Sequence, residues 1–325
     1  TSAVYFTTAG AESNESAFKL ARFYWKLKGK PNKVKVFSRV HGYHGLTFGA
    51  MSATGMAVYH KMFGPLAPNF MQTAAPYPYR WDGTEECGIG AANALEAAIL
   101  REGADTVAAV IAEPVMGAGG VIVPPKGYYE KIQAVLKKYD MLFCADEVIN
   151  GFGRTGNVWG CQTMNITPDI LTCAKALSAS FLPISAVLIN EKVYQALKTE
   201  SAKIGTFGHG FTYSGHPVAA AVAMETQKIY DEIDMFGHAK RMSPVFGKHI
   251  QSFADHPLVG EAMSVGMVGA LEIVANKKTK APFDIGGVAG AAGTMPSAAA
   301  VLSADNVIAC AVSGSSANSR RRSNA

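Results

Sequence analysis

A chain of 325 residues, 49% hydrophobic and 17% charged, has material for one large globular domain and part of a second. Its net charge of +5 is partly that of Arg320 to Arg322 at the end, and the cluster Lys26, Lys28, Lys30, Lys33 and Lys35 reads as the solvated face and exit loop of a helix, so a nucleic-acid partner is excluded. Five cysteines in no C-x-x-C spacing exclude a disulfide framework and a zinc site and fit a reducing cytoplasm, while no apolar run of about 18 residues and no basic-then-apolar leader speaks for a membrane.

In chain order, Thr7-Thr8-Ala9-Gly10-Ala11-Glu12-Ser13-Asn14-Glu15 leads small residues into an amphipathic helix over Ser13 to Leu27. Free amides at such a junction, with the positive end of the helix dipole, suit a phosphate; a plain capped N-terminus is the other reading. The apolar run Val34 to Phe37 predicts a strand, and Tyr43-His44-Gly45 after it offers an aromatic face on which a flat ring could stack. His44 is either catalytic or a hydrogen-bonding structural histidine, and the other histidines are too scattered for a metal cluster.

Helical spacing over Cys87 to Glu102 precedes an apolar strand from Val107 to Ala112, and helical spacing over Lys126 to Tyr139 precedes one from Leu142 to Ala145. That second strand ends in Asp146, which burial obliges to find a cationic or N–H partner. A protonated pyridine nitrogen would serve, as would the cap of the next turn. Gly151-Phe152-Gly153-Arg154-Thr155-Gly156 fits G-x-G-x-x-G, but Asn157-Val158-Trp159-Gly160 follows it where a helix is required. It reads as a glycine-rich active-site loop, with NAD binding and an oxidoreductase as the alternative.

Ile170 to Ala174 predicts a strand with Lys175 at its end, either a nucleophilic amine of depressed pKa or a lysine reaching for solvent. A strand at Ser185 to Ile189 follows, then helices from His216 toward Asp231 and over Asp234 to Phe253, and a strand pair within Gly260 to Val274. Continuous rather than alternating apolarity in the strands predicts a parallel sheet covered on both faces, with ligands at the carboxyl ends of its strands. The expected division is a large domain over residues 1–232 and a partial small C-terminal domain over 233–325, with a low-complexity tail from about Gly286.

Taken together, Phe6 to Glu15, Tyr43-His44-Gly45, Ala112-Glu113-Pro114, Ala145-Asp146-Glu147-Val148, Ala174-Lys175-Ala176-Leu177 and His209-Gly210-Phe211-Thr212-Tyr213-Ser214-Gly215-His216-Pro217 resemble the class III (omega) aminotransferases. The resemblance covers roughly Tyr5 to Val274 and is to amine:pyruvate-type members. It implies the α/β fold of type I pyridoxal-phosphate enzymes, with a mostly parallel central sheet, helices on both faces and a partial smaller α/β domain. It implies pyridoxal 5′-phosphate as cofactor, with the Gly10 and Ala11 amides on its phosphate, Tyr43 and Val148 on opposite ring faces, Asp146 at the ring nitrogen and Glu113 behind them. Lys175 matches the lysine that carries the cofactor and moves the proton, and Phe211 and Thr212 match a pair reaching the phosphate from the other subunit of a homodimer. The implied reaction is ping-pong transfer of an amino group from an amine or ω-amino acid to pyruvate or a similar 2-oxo acid.

Members of that group also have a long segment ahead of the phosphate motif and an arginine in the second domain that grips the substrate carboxylate. This chain begins at Thr1, as a fragment or processed product would, and has Cys310 nearest that arginine and Met263 where another is usual. A homologue that keeps the fold and cofactor site but is impaired in turnover is therefore the second expectation.

Overall fold

Strands without polar alternation have no face to give to water, and here both faces are covered. The computed structural model describes residues 1–283 and, as backbone, strands at 299–303 and 306–308. Its larger sheet comprises β1 (Ala3–Thr7), β2 (Lys35–Arg39), β3 (Phe70–Thr73), β4 (Val107–Ala112), β5 (Leu142–Asp146), β6 (Ile170–Cys173) and β7 (Ser185–Ile189). The order is β1-β7-β6-β5-β4-β2-β3, parallel from β3 through β6.

The helices divide by face. Helices α1 (Gly10–Leu27) and α7 (Glu191–Ile204) set Phe18, Ala21, Trp25, Val193 and Leu197 against Ala108, Ile111, Leu142 and Cys144. Between them in sequence come the short α2 (Phe48–Ala53) and α3 (Ala57–Phe63), then α4 (Cys87–Glu102), α5 (Tyr128–Lys138) and α6 (Gly160–Thr163). Leu95, Ile99, Ile132 and Val135 of α4 and α5 pack with Val107, Val110, Phe143 and Ala145 on the other face. Successive strand residues thus enter opposite cores. Ile111, Leu142 and Ile170 are fully buried, each contributing about 1.5–3 kcal/mol relative to exposure.

Two expectations are corrected, and two further strands appear. Ser185 to Ile189 pairs antiparallel with β6, because residues 174–184 contain no crossover helix and a parallel return requires one. The edge strands β1, antiparallel to β7, and β3 were not anticipated, being too short for a period to show. The first helix begins at Gly10 rather than Ser13, which puts Gly10 and Ala11 in its first turn.

Beyond α8 (Pro217–Glu232) and α9 (Met235–Gln251), strands β8 (Val259–Val265) and β9 (Val268–Ile273) form a hairpin extended by β10 (Ala299–Ser303) and β11 (Asn306–Ile308). Those two strands fall within the low-complexity tail, while Cys310 and Arg320 to Arg322 lie outside the described residues. Met263, Val268 and Ala270 of this antiparallel sheet pack on Tyr77, Val115, Met116 and Ile122, seating it beside the carboxyl ends of β4 and β5.

Candidate active site

A cavity of about 400 Å³ opens at the carboxyl ends of the parallel strands, beneath the N-terminus of α1. Gly10, Ala11, Tyr43, Glu113, Asp146, Val148 and Lys175 all line it. Residues more than 160 positions apart in sequence therefore face one space, as the switch from strand to loop in an open α/β sheet predicts.

The first turn of α1 is an uncapped donor surface. Ala9 at the N-cap is extended and has no side chain able to accept from the helix amides. The nearby Glu12 carboxylate turns away, taking the Thr8 N–H at 2.8 Å and the Thr8 hydroxyl. The Gly10 and Ala11 amides, at the positive end of an 18-residue helix, are left for an anion. Close packing requires glycine here. A Cβ on Gly10 would lie 3.0 Å from both Val148 methyl carbons, and one on Gly45, whose φ is +116°, would lie 2.5 Å from the Ala11 Cβ.

Asp146 ends β5, 2% exposed, and three donors converge on it. Asn14 Nδ2 at 2.8 Å and His44 Nδ1 at 2.9 Å donate to Oδ2, and the Val148 N–H donates to Oδ1 at 3.0 Å. A carboxylate only accepts, so His44 carries its proton on Nδ1. His44 is thus a hydrogen-bond donor to Asp146 at the cavity wall, and the N–H partners required of a buried Asp146 are present. Asn14 was missed. It lies four residues after Gly10, on the same face of α1, and that spacing was the available signal.

Glu113, 2% exposed, takes the Tyr43 N–H on Oε1 at 2.9 Å and the Gly117 N–H on Oε2 at 2.8 Å. Burial pushes its carboxyl above the ordinary range. It pins the backbone of the loop that presents Tyr43. Arg39 and Tyr129 hold the Glu113 carbonyl from within the core.

Lys175 follows β6 with φ +46°, a left-handed conformation that costs a non-glycine residue about 1–2 kcal/mol and here aims the side chain into the cavity. Burial of the surroundings lowers its pKa below that of free lysine, outweighing the pull of Asp146 and Glu113 toward the charged form. Among the described residues no hydrogen bond or ion pair holds its amine.

Two features do not line this cavity. Phe211 and Thr212 do not line this cavity; the Phe211 ring meets His209 at 5.4 Å and the Lys19 ammonium at 5.8 Å. The Gly151 to Gly156 loop is no wall of the site. It docks Gly153 against Met235 and Phe236 and Gly156 beside Ser243, and its Arg154 carbonyl accepts from the Met267 N–H at 2.8 Å. Its glycines permit close approach to α9 and the β8–β9 turn, so its role is to join the two sheets.

The chain is similar to known proteins over most of its length. The family described as aminotransferase class-III matches residues 1–304. Gamma aminobutyrate transaminase 3, chloroplastic, of Solanum lycopersicum is 46% identical over 283 residues, 86% of this chain and 54% of the relative. Gamma-aminobutyrate transaminase 1, mitochondrial, of Oryza sativa subsp. japonica is 46% identical over 284 residues, 86% of this chain and 55% of the relative. The chain thus spans about half the length of these curated relatives. The crystal structure of the omega transaminase from Pseudomonas jessenii in complex with PMP superposes with a TM-score of 0.85 at 46% identity, covering 89% of this chain and 65% of that one.

Proposed function

The chain belongs to the class-III aminotransferases, and from that premise we propose that the protein transfers an amino group from an amine or ω-amino acid to pyruvate or a similar 2-oxo acid. The names of the plant relatives favour an ω-amino acid of the γ-aminobutyrate type as donor. Pyridoxal 5′-phosphate, the cofactor of this family, fits the donor set of the cavity: uncapped amides for a dianion, an acceptor-only carboxylate for a ring N–H, and an amine that nothing else holds. The single observation that carries the reading is that one cavity holds the start of α1, Asp146 and the Lys175 amine.

When bound, the cofactor supplies an electron-accepting ring. Gly10 and Ala11 would hold its phosphate, Asp146 its ring nitrogen, and Tyr43 and Val148 its two faces, with Glu113 fixing Tyr43 through its amide. Lys175 Nζ, for which burial favours the neutral amine, takes the proton from the substrate carbon and returns it one step later.

Phe211 and Thr212, outside their own cavity, would complete the phosphate site of a second copy in a homodimer. The exposure of Phe181 (77%) and Tyr213 (65%) supports that assembly. The four described cysteines are all free and buried, which supports a reducing compartment such as the cytoplasm.

The test is a visible spectrum of the chain with added pyridoxal phosphate, before and after a primary amine, beside Lys175→Ala. A lysine-dependent band that bleaches with amine supports the reading. Its absence means that this chain does not assemble the site, and binding of a nicotinamide cofactor in its place would overturn the reading.

A further inference from the structure

We infer that Asn14 and Thr172 form a positioning relay for Asp146, in which the Thr172 hydroxyl satisfies and polarises the Asn14 amide that donates to the carboxylate. The inference rests on the reading of Asp146 as partner of the cofactor's ring nitrogen. Thr172 is the direct neighbour of Asp146 across the β5–β6 ladder, and it is the one hydroxyl residue in an otherwise apolar strand, three positions before Lys175. Asn14 reaches down from α1 between them.

Every polar atom of the Asn14 side chain is committed. Its Nδ2 donates to Asp146 Oδ2 and to the His44 carbonyl, both at 2.8 Å, and its Oδ1 accepts from Thr172 Oγ1 at 2.7 Å. Asn14 is 1% exposed, Thr172 0%, His44 2% and Asp146 2%, so no water substitutes for a lost partner. Turning the amide over would set its oxygen against two acceptors, Asp146 Oδ2 and the His44 carbonyl, so those two fix its orientation. The Thr172 hydroxyl satisfies the amide oxygen in that orientation, and its donation polarises the amide into a better donor to Asp146.

The consequence is electrostatic. With Asn14 and His44 both donating to Oδ2, hydrogen bonding favours leaving a proton shared with a facing ring nitrogen on the ring. Loss of the Asn14 donor moves that shared proton toward the carboxylate. A threonine that merely filled space would have no such effect.

The experiment uses the full chain loaded with pyridoxal phosphate carrying ¹⁵N in its ring, and reads the ring-nitrogen chemical shift and the cofactor Kd. The unsubstituted chain should give the signal of a protonated ring. Thr172→Val and Asn14→Ala should both move it toward neutral pyridine and raise Kd about tenfold, the scale of one hydrogen bond, while Thr172→Ser should match the unsubstituted chain. An unmoved signal in folded Thr172→Val, or Thr172→Ser behaving like Thr172→Val, overturns the relay. Where Thr172→Val does not fold, Asn14→Ala decides alone: a shifted signal supports the relay and an unmoved one overturns it. An unprotonated ring in the unsubstituted chain overturns the assignment of Asp146 itself, and the relay with it.

Discussion

Lys33 and Lys175 lie at opposite ends of the seven-stranded sheet, and burial lowers the pKa of both. Lys33, 1% exposed, donates to the Tyr139 carbonyl at 3.0 Å and to the Asp140 carbonyl, and its ammonium sits 4.2 Å from the centre of the Trp25 ring. Its charge closes the C-terminal end of α5, where carbonyls lack helical partners. Lys175 instead stands exposed to the cavity, with no acceptor for its amine among the described residues. A lowered pKa alone therefore does not distinguish a structural lysine from a reactive one. The distinction is whether the N–H groups are already committed.

Exchanging each lysine breaks this contrast most sharply. Lys175→Ala should lower transamination by about 10³-fold or more while leaving the melting temperature unchanged, because it removes an amine that no hydrogen bond or ion pair holds and keeps the backbone at φ +46°. Parallel activity assays and thermal melts check this; a large loss of stability would contradict the assignment. Lys33→Met should do the reverse, lowering stability by about 1–3 kcal/mol through two unpaired carbonyls, with cofactor affinity unchanged. Denaturant titration and cofactor titration of the same preparation separate the two effects.

Carboxylates sharpen the contrast from the other side. Glu261 stands directly across the β8–β9 ladder from Glu272, which is held by Tyr77 and Arg80. Glu261 Oε2 is buried with no partner among the described residues, and burial followed by the charge of Glu272 pushes its carboxyl up to about 7. Asp146 has three donors where Glu261 has a like charge. An acid raised in the folded state contributes stability that is full below its ordinary value of 4.5 and is lost as pH rises through about 7. The loss should be about 1 kcal/mol after screening by partial exposure. Glu261→Gln should flatten melting temperature between pH 5 and pH 8, about the window set by those two values.

The smallest effect expected is at the rim of the Lys33 site. Lys30 pairs with Asp140 at 2.7 Å, with side chains 47% and 61% exposed. Such a pair adds little, and Lys30→Ala should leave the melting curve unchanged within error.

Much of this was legible along the chain. Val107 to Ala112, Leu142 to Asp146 and Ile170 to Cys173 announced themselves as central strands because both faces are buried and no polar residue could alternate. Their direction was less legible, since a fully buried run has the same composition whichever way it points; Ser185 to Ile189 is the case that differed. The Gly151 to Gly156 loop was placed at the site because glycine signals close approach without naming what approaches.

By itself the sequence determined the strand-end positions of Asp146 and Lys175 and the sheet whose carboxyl edge gathers them, because each follows from local chain chemistry. Only the tertiary structure decided which groups satisfy one another. Asn14 and Asp146 are 132 positions apart and Asn14 and Thr172 are 158 apart, and no periodicity encodes such a contact. The same holds for what the Lys33 amine meets and what the Lys175 amine is spared. Hydrogen-bond satisfaction is a property of the packed interior, where water is absent and a donor has only the neighbours the fold supplies.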